Sequence, residues 1–190
     1  MTKIDAVIFD FGQVLGLIQD KSRVDNMLIF TGLSKGEFFR RYRKFRSEYD
    51  RGKISGKEYW MRVITGSETE KQGLNGLTEK LMYEDMMSWL RPNTKVISWV
   101  EKLKIKGIKT GVLSNMPLEP DEYVYENFNW LDLFDSVVFS CKVGFVKPEI
   151  EIYNYCINSL NVEPARALLI DDDKQNIEGA EKDGKKNLSV

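Results

Sequence analysis

Histidine is absent from the 190-residue sequence, and cysteine occurs only as Cys141 and Cys156. Without histidine there is no Ser–His or Cys–His nucleophile pair, no histidine zinc site and no imidazole acid or base. Two cysteines cannot form a thiolate zinc cage, nor do they suggest a disulfide framework, and both read as packing residues. Long apolar runs are missing too. Nothing approaches the roughly 18 consecutive apolar residues of a membrane span. The N-terminal stretch MTKIDAVIFDFG breaks its apolar run at Asp10, unlike a secretory signal, so a cytoplasmic location is expected. Charge of one sign is not in excess: 28 basic and 29 acidic side chains leave −1, and neither nucleic acid nor a membrane is expected as a partner. What is present is ordinary for a globular chain, 42% apolar and 30% charged. The length suits one domain, or one domain carrying an insertion. One kind of site stays open: carboxylates, carbonyls and water around a Mg²⁺-type ion.

Short continuous apolar runs mark strands buried on both faces, as in a parallel sheet. They are Ala6–Phe9, Ile108–Leu113, Arg166–Ile170 and, more weakly, Ser136–Phe139. Most end in a polar cluster, and the carboxyl edge of an open α/β sheet is where ligands bind. Helices fill the gaps. One starts at Pro92-Asn93-Thr94, with Val96, Ile97, Val100 and Leu103 as its stripe up to Gly107. Another begins near Pro148 and presents Ile152, Tyr155, Cys156 and Leu160. A third follows Asp173, with Ile177 and Ala180 before Gly184. The alternation predicts right-handed βαβ units. Residues 17–90 differ, being polar, helical in rhythm and punctuated by glycines, among them Gly52, Gly66, Gly73 and Gly76. Their cluster of Arg40, Arg41, Arg43, Lys44 and Arg46 reads either as a solvated helix face or as a source of one arginine for an anionic substrate. The last residues, Asn187–Val190, are barely enough for a strand. The expected fold is α/β: a Rossmann-like parallel sheet core with helices on both faces (residues 1–16 and 91–190) and an inserted small helical cap (17–90).

The chemistry-bearing residues are scattered: Asp10 with Gly12, Ser114 with Asn115, Lys147 with Pro148, and Asp171 with Asp172. Each has a bland reading alone: a strand-ending turn, an N-cap, a loop lysine, a helix-start acidic cluster. Parallel neighbouring strands would bring them together. Two carboxylates about 4 Å apart repel by on the order of 4 kcal/mol at an effective dielectric near 20, so such a cluster takes up protons or a cation. Hard oxygen ligands favour Mg²⁺ shared with a phosphate. With Lys147, the Ser114 hydroxyl and backbone N–H groups nearby, the set suits phosphoryl transfer with an aspartate as nucleophile. The tripeptide Asp10-Phe11-Gly12 also occurs in protein kinases. There it follows a glycine-rich loop and a catalytic loop, and here it starts at residue 10. The four tryptophans read as packing, with Trp60 as the one that could line a substrate mouth.

Four segments, VIFDFGQVL, TGVLSNM, VGFVKPEIEIYNYCI and ALLIDDDKQNIEGAEKDG, together resemble the four motifs of the haloacid dehalogenase-like hydrolase superfamily, in order and spacing. The resemblance runs from Ile4 to Gly184 and includes a helical cap inserted after the first motif. YDRGKISGKEYW in the cap resembles the branch that contains sugar-phosphate phosphatases. The resemblance implies Asp10 as nucleophile and metal ligand, Gly12 as a carbonyl ligand, and Ser114 with Asn115 as the phosphoryl-holding pair. It further implies Lys147 as partner of nucleophile and phosphate, Asp171 and Asp172 as the acidic pair at Mg²⁺, with Asp172 the closer, and Asn176 as an organiser of their loop. The implied activity is a Mg²⁺-dependent phosphatase acting on a small phosphorylated metabolite, an anomeric sugar phosphate being favoured, through an aspartyl-phosphate on Asp10. The alternatives are a metal-free 2-haloacid dehalogenase and a catalytically weak binding or regulatory member. One departure matters. Most phosphatases of the superfamily carry a second aspartate, the general acid and base, where this chain has Gly12. Either the leaving group needs no proton, or another group such as Asp20 or water replaces it, or turnover falls by roughly 10²–10⁴-fold. The substrate itself and the oligomeric state are not legible.

Overall fold

The computed structural model describes residues 3–67, 76–181 and, for the backbone alone, 186–189. Gly73 and Gly184, read above as breaks, lie outside the described residues. The apolar runs form an all-parallel sheet of β1 (Ala6–Phe9), β2 (Lys109–Ser114), β3 (Ser136–Phe139), β4 (Ala167–Asp171) and β5 (Lys186–Ser189), in the order β3-β2-β1-β4-β5. The short C-terminal stretch thus does supply an edge strand. β1 is central, with Phe9 level with Val112 on one side and Ile170 on the other. Both faces of β1 are buried, which is why its run does not alternate apolar with polar.

Helices cover both faces of the sheet. On one, α6 (Thr94–Ile105) and α7 (Leu118–Asn127) pack Val100, Leu103 and Val124 against Val7, Phe9 and Val112. On the other, α9 (Ile150–Leu160) and α10 (Lys174–Glu181) pack Ile152, Cys156, Leu160, Ile177 and Ala180 against Ala6, Ile8 and Leu169. Tyr155, counted above on the inner stripe of α9, is instead 52% exposed, and Tyr153 takes the inner place. The short α8 (Ser140–Val143) follows β3.

Among the described residues of 17–90 there is no strand. The helices are α1 (Lys21–Thr31), α2 (Lys35–Lys44), α3 (Arg46–Asp50), α4 (Gly56–Ile64) and α5 (Leu77–Trp89). Ser34 and Ser55 accept from the N–H groups of Glu37 and Glu58, the S-x-x-E signature of a helix start. These helices bury their own cluster of Met27, Phe38, Tyr59, Trp60, Val63 and Leu81. The chain leaves the sheet region and returns at one place. Gly16 bridges Pro92 antiparallel, Leu17 N donates to Arg91 O at 2.7 Å, and Asn93 N donates to Leu15 O at 2.7 Å. A Cβ on Gly16 would stand 2.9 Å from the Trp89 carbonyl oxygen, so the crossing has no space for a side chain. No helix among the described residues is long and apolar enough to cross a membrane.

Candidate active site

β1, β2 and β4 are hydrogen-bonded neighbours, so the residues at their carboxyl ends meet. Asp10 follows β1, its backbone N–H donating to Ile170 O at 2.9 Å. The chain then turns tightly, with Gly16 N–H donating back to Phe11 O and with Gln13 in the left-handed region at φ +56°. Phe11 anchors this turn in the core against Trp130, Phe128 and Phe139. Asp171 closes β4, and Asp172 and Asp173 follow before α10.

Lys147 is the hub. Its ammonium is buried and donates to Asp10 Oδ1 at 2.7 Å and to Asp171 Oδ2 at 2.6 Å. Burial opposes its charge, but the two carboxylates hold its pKa above the usual value. Asp10 is pushed up to about 6 by burial, against the pull of Lys147 and with a push from Asp171. Asp172 is raised by burial and then by the Asp171 charge. Asp10, Asp171 and Asp172 each bring one carboxylate oxygen within 4.8 Å of the others. Three hard oxygen donors, two of them disfavoured as free anions, fit a small divalent cation.

The other expected residues fall around this cluster. Ser114 is buried at the end of β2 and lines the same cavity as Asp10. Asn115 also lines it, but its amide is committed to the Lys147 backbone: Nδ2 donates to Lys147 O at 3.0 Å and Oδ1 accepts from Lys147 N at 2.8 Å. Asn176 Nδ2 donates to both oxygens of Asp171, and the Asp173 N–H donates to Oδ1. Gly12 lies in the cavity wall, where an added Cβ would stand 3.7 Å from Asp10 Oδ2 and 3.7 Å from the Trp89 ring. Asp20 is elsewhere: it caps α1 by accepting from Ser22 N–H and is not a cavity residue. Trp60 is fully buried among the helices and does not reach the cavity, whereas Trp89 does.

The cavity measures about 440 Å³, within the range of small-ligand sites. Sequence reasoning missed part of its lining, although Arg43 and Arg46 belong to the basic cluster singled out above. From 42–50 come Tyr42, Arg43, Arg46 and Asp50, and from 85–90 come Asp85, Met86, Trp89 and Leu90. Arg46 is wedged between Asp50 and Asp85, with Nε to Asp50 Oδ1 and Nη1 to Asp85 Oδ2 both 2.8 Å. Of the basic cluster, Arg40 and Arg41 pair with Glu37, while Arg43 and Arg46 reach the cavity. Gln13 was also missed; its Nε2 donates to Asp172 Oδ2. The available signal for Asp50 was its place in the segment YDRGKISGKEYW.

A family model described as haloacid dehalogenase-like hydrolase matches residues 4–182. The chain belongs to that family. It is 26% identical over 95% of its length to a phosphorylated carbohydrates phosphatase of Thermotoga maritima, covering 82% of that protein. It is also 26% identical over 75% of its length to a sesquiterpene phosphatase of Aspergillus oryzae, covering 70% of it. In fold it is similar to a haloacid dehalogenase family enzyme of Bacteroides thetaiotaomicron, with a TM-score of 0.81, 19% identity, and 99% of this chain and 94% of the other covered. A structure of that enzyme with magnesium and inorganic phosphate aligns with a TM-score of 0.74 and 20% identity, covering 98% of this chain and 93% of that one. The fold and the family expected from the four motifs are those found, and the chain is a haloacid dehalogenase-like hydrolase.

Proposed function

We propose that this hydrolase is a Mg²⁺-dependent phosphatase of a small phosphate monoester, with Asp10 as nucleophile. The observation that carries the reading is the meeting of buried Asp10 and Asp171 with the exposed Asp172 beside the Lys147 ammonium. Asp10 Oδ2 attacks phosphorus while Lys147 holds Oδ1 and keeps the carboxylate oriented. The leaving oxygen departs in line, and water then cleaves the aspartyl-phosphate to phosphate and free Asp10. Ser114 offers its hydroxyl to a phosphoryl oxygen, and Asn115 acts through the Lys147 backbone it grips. Asp10, the Gly12 carbonyl and Asp172 would hold the ion directly. Asp171 is the weaker candidate for direct contact, because Lys147, Asn176 and the Asp173 N–H already occupy its oxygens. Mg²⁺, when bound, would neutralise the carboxylate cluster and the phosphoryl oxygens. The same acidic cluster argues against a metal-free dehalogenase.

The helical segment 17–90 acts, in this reading, as a cap domain over a core of 1–16 and 91–190. Its own apolar cluster and the pairing of its exit and return at Gly16 and Pro92 support that division. Because the cap supplies much of the cavity wall, it selects the ester. Met86, Trp89 and Leu90 form an apolar side suited to the C–H face of a sugar, consistent with an anomeric sugar phosphate. The decisive experiment is phosphate release across sugar, isoprenoid, nucleotide and acyl phosphates with and without Mg²⁺, in the wild type and in Asp10→Asn. Magnesium-dependent release by the wild type, lost in a folded Asp10→Asn, is expected. Full turnover by the variant would remove Asp10 as nucleophile.

A further inference from the structure

We infer that Asp50 is the general acid and base of the reaction, reaching into the cavity from the helical segment to supply the proton that no side chain at Gly12 can give. This rests on the phosphatase reading. Attack by Asp10 from the strand ends sends the leaving oxygen away from the sheet, toward the lining contributed by 42–50 and 85–90. Four ionisable groups besides Asp50 line that side. Asp85 has both oxygens engaged, Oδ1 by the Tyr42 hydroxyl and Oδ2 by Arg46. Tyr42 spends its proton on Asp85, and burial raises its pKa well above the usual value. Arg43 and Arg46 stay charged. Asp50 is left. Its Oδ1 accepts from Arg46 Nε, and its Oδ2 has no hydrogen-bond partner among the described residues.

The fold holds Asp50 in place. Its backbone carbonyl accepts from the buried Ser140 hydroxyl, and the same Ser140 Oγ accepts from Met116 N–H, two residues beyond Ser114. The end of α3 is therefore tied to the loop that lines the phosphoryl site. The groups acting on the carboxyl are Arg46 on its own helix, Tyr59 and Asp85 from neighbouring helices, and Cys141 and Lys147 from the sheet side. Burial, opposed by Arg46 and reinforced by Asp85, pushes Asp50 up to about 6, near the optimum for acid–base work at neutral pH.

The proton accounting closes. As the Asp10–phosphorus bond forms and the ester bond breaks, protonated Asp50 gives its proton to the leaving alkoxide. As water attacks the aspartyl-phosphate and the Asp10–phosphorus bond breaks, the Asp50 carboxylate takes the water's proton and is reset.

The test compares phenyl phosphate, whose leaving group needs a proton, with dinitrophenyl phosphate, whose leaving group does not. With Mg²⁺ present, Asp50→Asn should lower kcat/KM for phenyl phosphate by about 10²–10⁴-fold and for the dinitrophenyl ester by less than tenfold, a difference of about 10-fold or more. The alkaline limb of the phenyl phosphate pH profile should vanish with it. Turnover of the dinitrophenyl ester doubles as the folding control, and Asp50→Ser is read in the same way if the asparagine variant does not fold. Equal losses on both esters, or no loss on either, overturn the assignment. A wild type inert toward both esters overturns the phosphatase reading itself, and the assignment falls with it.

Discussion

Lys147 shows how much one side chain can carry. Its ammonium is the counter-charge for two buried carboxylates, and removing one partner of a buried ionic cluster typically costs about 3–5 kcal/mol. Lys147→Ala should therefore lower stability by that order in urea unfolding at neutral pH, and lowering the pH should recover part of it. A loss below about 1 kcal/mol, smaller than a buried pair requires, would mean the carboxylates find another counter-ion. Gly179 controls the same lysine from behind. A Cβ there would stand 2.5 Å from Pro148 Cβ and 2.9 Å from Pro148 O. Overpacking of this kind costs about 1–3 kcal/mol, so Gly179→Ala should both destabilise the protein and slow turnover by displacing the Lys147 loop. Unchanged unfolding and unchanged turnover would show that the helix simply shifts. At this scale the sequence was readable for Asp10, Ser114, Asp171 and Asp172, because strand ends carry short-range signals, and for Lys147, which lies in a turn, only through the motif it resembles. It was not readable for Trp89 or Asp50, whose role depends on which way a distant helix faces.

At the scale of elements, the question is how the helical segment is held over the sheet. Besides the contacts of Arg91 at the crossing itself, polar ties reach across from α3 and α4. Arg51 pairs bidentately with Glu149. Glu119 on α7 accepts from Gly56 N–H at 2.7 Å and from the Tyr49 hydroxyl at 3.0 Å. Ser140 joins the Asp50 carbonyl to Met116. They differ in exposure and so in worth. The Arg51–Glu149 pair is partly exposed, and a double-mutant cycle should give a coupling near or below about 1 kcal/mol. Ser140 is wholly buried, and Ser140→Ala strands the Met116 N–H and should cost about 1–3 kcal/mol in unfolding free energy. The reverse ranking would mean that the surface pair, not the buried hydroxyl, fastens the segment. The helices were legible from serine caps and apolar spacing. The ties were not, because Arg51–Glu149 spans 98 residues and Ser140–Asp50 spans 90.

For the whole molecule, the buried carboxylates make stability depend on pH in a defined direction. Asp10 and Asp50 are both raised to about 6, above an unfolded value of about 4. Between those values the native state holds protons that the unfolded chain has released. Their stabilising contribution is complete below about pH 4 and is lost as the pH rises through 6. Glu37, Glu149 and Asp20 are shifted downward by their hydrogen bonds, so their contribution is lost only at more acidic pH. The metal-free protein should therefore show a falling Tm from about pH 5 to pH 7. Millimolar Mg²⁺ should raise the Tm more at the upper pH, since binding requires ionised ligands. Differential scanning fluorimetry reads both, and an equal Mg²⁺ shift at the two pH values would contradict this linkage.

Taken alone, the amino-acid order determined the parallel sheet, the helices on its two faces and the residues that close its strands. Those features rest on contiguous apolar runs, caps and glycines, which act over a few residues of chain. Only the tertiary structure decided that Asn115 grips the Lys147 backbone, that Trp89 rather than Trp60 faces Gly12, and that Asp50 lines the cavity with one oxygen unpaired among the described residues. Each of those depends on packing between segments tens of residues apart, where burial and charge neutralisation, not local propensity, select the arrangement.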